Sequence, residues 1–166
     1  MGVRPRGLPL WHPAVLFATG FGAGLSPFAR GTCASLAALP FAWAIRSHWG
    51  ADGLAVAAAL VITLGWWAAA TVAEASGTED LRAIVIDEVA GQWLALVAAP
   101  LDPLAYALAF LLFRLFDIWK PWPVRWADHH VKGGLGIMLD DLLAAIYAVL
   151  VFLVPLAIGG ASGVRS

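Results

Sequence analysis

The run GLAVAAALVITLGWWAAATVA, Gly53–Ala73, carries no charged residue. About 20 apolar helical residues cross the hydrocarbon of a bilayer, so this stretch reads as a membrane-spanning helix. Thr63 and Thr71 are its only hydroxyl side chains. Its alanines suit packing between membrane helices, where small residues let backbones approach.

Working outward, Leu142–Ile158 is a second apolar run, and Gly31–Ile45 is a shorter one with Trp43 and Trp49 at its end. Residues 89–113 are apolar too, but Pro100, Asp102 and Pro103 interrupt them. Two prolines three residues apart, with an aspartate between them, fit a tight turn better than a continuous helix. The expectation is an antiparallel hairpin, Asp87–Ala99 and Leu104–Trp119, each helix on the order of 20 Å long. The fold class is therefore all-α: a compact polytopic bundle of about four to six helices in the membrane, with polar loops on one face. Residues 1–166 read as a single domain.

Composition points the same way. Of the 166 residues 61% are hydrophobic and only 13% charged, with a mean hydropathy of +0.83. A soluble domain carries about 25% charged residues. A net charge of −1 and no clustered basic face exclude a nucleic-acid-binding role. Cys33 is the sole cysteine, so there is no internal disulfide. Met1–Leu10 has two arginines, but no small-residue cleavage site follows, and the segment is expected to be retained.

Charge fixes an expected orientation. With these spans, Arg4, Arg6, Arg30, Arg82, Arg114, Lys120, Arg125 and Lys132 fall on one side of the membrane, and only Arg46 and Arg165 on the other. By the positive-inside rule the first side is cytoplasmic. Every carboxylate except Asp52 and Asp102 gathers there as well. Orientation rules do not require that, so the carboxylates need a chemical reason.

Four segments carry them or lie beside them. In RLFDIWKPWPVRWAD, residues 114–128, Arg114 and Asp117 share a helix face, Pro121 and Pro123 end that helix, and Trp119, Trp122 and Trp126 suit the headgroup layer. Ionisable groups at the end of an apolar helix tend to mark function. In IVIDEVAGQW, residues 84–93, Asp87 and Glu88 open an apolar helix, which helix-dipole stabilisation alone would explain. Gly91 would leave space beside them for a ligand or a facing helix. In GGLGIMLDD, residues 133–141, the glycines read as a turn or a phosphate-binding nest, with Asp140 and Asp141 opening the next helix as a cap or a metal site. Arg30, Thr32 and Ser35, after a Gly-rich stretch, are within reach of the same place. His129 and His130 read as plain interfacial residues.

Together, Asp87, Glu88, Asp117, Asp128, Asp140 and Asp141 share one face with Arg30, Arg114, Lys120 and Arg125. Hard cations such as Mg²⁺ take oxygen ligands, and phosphate takes arginine forks or a lysine charge. A site holding both suits metal-assisted phosphoryl transfer at the headgroup level.

At these motifs the sequence resembles the phosphatidylglycerophosphatase A family. The match runs through residues 20–27, 31–40, 87–93, 113–128 and 133–141, in order. The resemblance implies an all-α protein of the cytoplasmic membrane that hydrolyses phosphatidylglycerophosphate to phosphatidylglycerol and phosphate with Mg²⁺. On this reading Asp87, Glu88, Asp117, Asp140 and Asp141 bind metal and activate water. Arg30, Thr32, Arg114, Lys120 and Arg125 hold phosphate, and Asp128 joins either group. The rival readings are a transporter, a scaffold subunit whose acidic patch docks a partner, and a phosphatase for another lipid phosphate.

Overall fold

A computed structural model describes residues 7–77 and 82–162, with side chains as far as Val154. Arg4, Arg6, Glu79, Asp80 and Arg165, used above to orient the chain, lie outside the described residues. Among the described residues six α-helices follow in order: α1 (Pro13–Ala18), α2 (Arg30–Ser76), α3 (Ile86–Val97), α4 (Pro103–Trp119), α5 (Val124–His130) and α6 (Gly133–Ser162). Among the described residues there is no strand.

The two expected spans before residue 76 form one helical stretch broken at Gly50, whose φ of 70° and ψ of −166° are not helical. Glycine adopts that backbone without the Cβ clash other residues meet. The break folds α2 into a hairpin. Ala34 and Val61 line the same apolar pocket, whereas an unbroken helix would hold them about 40 Å apart. Helices α3 and α4 match the expected pair, and the turn between them is fixed by Asp102, whose side chain accepts from the Ala105 N–H at 2.9 Å. This is an N-cap with proline at the first helical position.

The glycine segment before Asp140 is a correction. It is neither a loop nor a nest: α6 starts at Gly133, so Asp140 and Asp141 stand two turns inside the helix and cap nothing. Packing is the reason. A Cβ on Gly134 would collide with Ala70 of α2, and one on Gly136 with the Val131 carbonyl. Helices α1 and α5 were not anticipated.

Packing rests on small residues. Val15, Val72, Ile86 and Met138 join α1, α2, α3 and α6 through Ala68, Ala69 and Ala90. Leu54, Leu96 and Tyr106 join α2, α3 and α4, and Phe113, Phe116 and Val124 pack on Ala144 and Ala145 of α6. The outer surface is apolar: Leu104, Leu108, Leu111, Leu115 and Ile118 are all exposed along α4. Arg30–Ser76 and Gly133–Val154 are long and apolar enough to cross a membrane.

Candidate active site

One end of the bundle collects the carboxylates because four helices reach it. The first turn of α3 supplies Asp87 and Glu88, the last turn of α4 Asp117, α5 Asp128, and α6 Asp140 and Asp141. They surround a cavity of about 380 Å³, completed by Lys120, Arg82 and Lys132.

Within it, Asp87, Glu88 and Asp141 each bring one carboxylate oxygen within 4.8 Å of the others. Asp141 is only 3% exposed, so its charge is drawn out of water. Glu88 Oε2 and Asp141 Oδ2 are buried with no hydrogen-bond partner. Gathering like charges in a buried place is costly unless a cation answers them. A hard divalent ion, with oxygen ligands at short range, fits this donor set. Gly31 makes room for the cluster, since a Cβ there would strike the Glu88 carboxylate. Of the two expectations for Gly91 the facing helix holds and the ligand does not: the Phe113 ring and the α6 backbone at Asp141 fill the space beside it.

The remaining acids are held by cations. Arg114 Nη1 lies 2.5 Å from Asp117 Oδ2. Lys120 Nζ donates to Asp128 Oδ1 and to Asp140 Oδ2, both at 2.7 Å. Lys120 caps α4 in the left-handed region (φ 48°), and its backbone N–H bonds the Phe116 carbonyl. Burial alone would lower the Lys120 pKa, but the hydrogen bonds to Asp128 and Asp140 outweigh it and hold the ammonium above its usual range. It stays charged at any physiological pH.

The expected phosphate ligands divide. Lys120 lines the cavity; Arg30, Thr32, Arg114 and Arg125 do not. Arg30 Nε donates to the Ser26 carbonyl at 2.8 Å and so secures the loop before α2. Arg125 lies in a separate groove beyond α5, with Trp119, Trp122, Trp126, His129 and His130. Arg82 and Lys132, which the sequence reading used only for orientation, are the basic residues at the cavity rim. Their signal was position: each stands shortly before a helix that delivers carboxylates. His129 and His130 have their Nδ1 atoms 2.7 and 2.9 Å from the Arg125 and Trp126 carbonyls one turn back, a local structural role.

The family model of phosphatidylglycerophosphatase A matches residues 16–155. A phosphatidylglycerophosphatase A of Escherichia coli K12 is 42% identical over 137 residues, covering 82% of this chain and 77% of that protein. One from Haemophilus influenzae is 41% identical over 145 residues, covering 87% and 89%. A protein of Bacteroides thetaiotaomicron with a provisional phosphatidylinositol-3-phosphatase name is 40% identical over 164 residues, covering 91% and 95%. No solved structure matches. The matched segment contains every carboxylate that lines the acidic cavity, and the chain belongs to the phosphatidylglycerophosphatase A family.

Proposed function

We propose that this chain is a single-domain, multi-pass phosphatase of the bacterial cytoplasmic membrane that hydrolyses phosphatidylglycerophosphate to phosphatidylglycerol and inorganic phosphate, with Mg²⁺ held by Asp87, Glu88 and Asp141. The observation that carries this reading is the acidic cavity, closed by Lys120 and rimmed by Arg82 and Lys132, at one end of a bundle with apolar sides. Family membership supports the substrate. The exposed leucines of α4 and the two long apolar helices support the bilayer, and the basic residues around the cavity support a cytoplasmic orientation.

A divalent cation held by Asp87, Glu88 and Asp141 would supply Lewis-acid polarisation of the phosphoryl group and would make the attacking water more acidic. The chain does the rest. Lys120 Nζ, kept charged between Asp128 and Asp140, faces the phosphate and steadies the charge that builds on its oxygens. Arg82 and Lys132 draw the dianionic headgroup to the cavity mouth. Asp140 takes the one proton released as water attacks phosphorus, and Asp117 orients that water. The bond from phosphorus to the glycerol oxygen breaks, and that oxygen takes up a proton. Arg114 is a positioning residue: its ion pair fixes Asp117.

The Bacteroides relative's name favours one second reading, a phosphatase for an inositol lipid. A panel of phosphatidylglycerophosphate, phosphatidic acid and phosphatidylinositol 3-phosphate, presented to detergent-purified protein, separates the two. The expected result is a preference for phosphatidylglycerophosphate of at least roughly tenfold in kcat/KM, the size of one added charge-assisted contact. Faster turnover of the inositol lipid would replace the substrate assignment. No phosphate release from any of the three would point to a scaffold.

A further inference from the structure

The groove beyond α5 has no part in the chemistry described above, yet it abuts the acidic cavity. Lys120 lines both. Asp128 lines the cavity while its neighbour His129 lines the groove, with His129 Nδ1 3.6 Å from Asp128 Oδ2. Helix α5 is thus a partition. Its Arg125 side chain is exposed into the groove, and among the described residues it makes no ion pair within 4.0 Å. Trp119 and Trp122 are 69% and 78% exposed beside it, the surface expected of a headgroup-level belt.

We propose that this groove binds the phosphodiester of the same lipid whose terminal phosphate enters the cavity, with Arg125 as the residue that reads it. The inference rests on the proposed function. Phosphatidylglycerophosphate carries two anionic phosphates separated by a glycerol, a dianionic monoester and a monoanionic diester. A cavity and a groove that share Lys120 are neighbouring sites, as two phosphates one glycerol apart require. The cavity is dominated by carboxylates and takes the monoester with its cation. The groove holds no carboxylate, and its arginine suits an uncomplexed phosphate. The tryptophans give the adjoining glycerol and acyl ester region an amphipathic bed. Phosphatidic acid lacks the second phosphate, so the groove would separate the two lipids.

The test compares wild type, Arg125→Ala and Arg125→Lys as full-length protein in a zwitterionic detergent. Arg125→Ala is expected to raise KM for phosphatidylglycerophosphate roughly tenfold, one charge-assisted hydrogen bond, with kcat within about twofold. It should leave kcat/KM for phosphatidic acid unchanged, and Arg125→Lys should recover part of the loss. If phosphatidic acid is not turned over, its potency as an inhibitor gives the same comparison. Unaltered KM in Arg125→Ala would overturn the inference, as would equal losses on both lipids. An effect seen only after anionic lipid is added would assign the groove to a second lipid instead, and would also overturn it. Wild-type protein inactive on phosphatidylglycerophosphate would overturn the function itself, a distinguishable failure.

Discussion

The two ends of the bundle use charge differently. At the end opposite the cavity, ionic groups are spent on the backbone. Arg46 Nη1 donates to the Leu96 and Val97 carbonyls at 3.0 and 2.7 Å and closes the C-terminus of α3, and Asp102 caps α4. At the cavity end, carboxylates face one another, and buried oxygens of Glu88 and Asp141 are left without partners. Buried polar groups are normally satisfied, and those that are not require a reason. The contrast separates charge that holds the fold from charge that, on the proposed function, answers a cation.

That separation can be broken by mutation. Asp87→Asn and Asp141→Asn should each lower kcat by at least about a hundredfold, because each would remove part of the ligand set of the proposed cation. Melting in detergent should stay near wild type, and phosphate-release assays beside melting curves check both halves. Lys120→Met should cost roughly tenfold to a hundredfold in kcat/KM, the worth of one charged contact to phosphate. Steady-state kinetics on phosphatidylglycerophosphate reads it.

The opposite end should behave in the converse way. Arg46→Ala is expected to destabilise the protein by about 1.5–3 kcal/mol, since its charged hydrogen bonds to two carbonyls are lost, with kcat and KM unchanged. Asp102→Ala should cost about 1 kcal/mol, the ordinary worth of an N-cap. A drop in activity without loss of stability in either variant would erase the distinction between the ends.

How far the sequence carried these conclusions depended on what each signal measures. Apolar runs and the Pro100–Pro103 interruption marked α2, α3, α4 and the body of α6, because hydrophobic length is set by the bilayer or core that must take it. The carboxylates of the cavity were legible because helices of alternating direction bring their polar ends to one side. Of the expected basic ligands only Lys120 was. Arg30 turns back to the Ser26 carbonyl and Arg125 faces across α5, directions fixed by tertiary packing and invisible in residue type. Gly134 and Gly136 misled for a related reason. Glycine permits a turn, but here it permits close contact with Ala70 and with the Val131 carbonyl inside a helix end. Arg46 entered the sequence reading only as a far-side charge, and its closure of α3 needed a contact about fifty residues distant in the chain.

The most direct measurement is phosphate release from phosphatidylglycerophosphate by chelator-treated, detergent-purified protein, before and after Mg²⁺ is restored, beside Asp141→Asn. The account predicts release that vanishes with the chelator, returns with Mg²⁺ in the wild type, and does not return in the folded variant. Undiminished release without divalent cation, or full activity in Asp141→Asn, would contradict it.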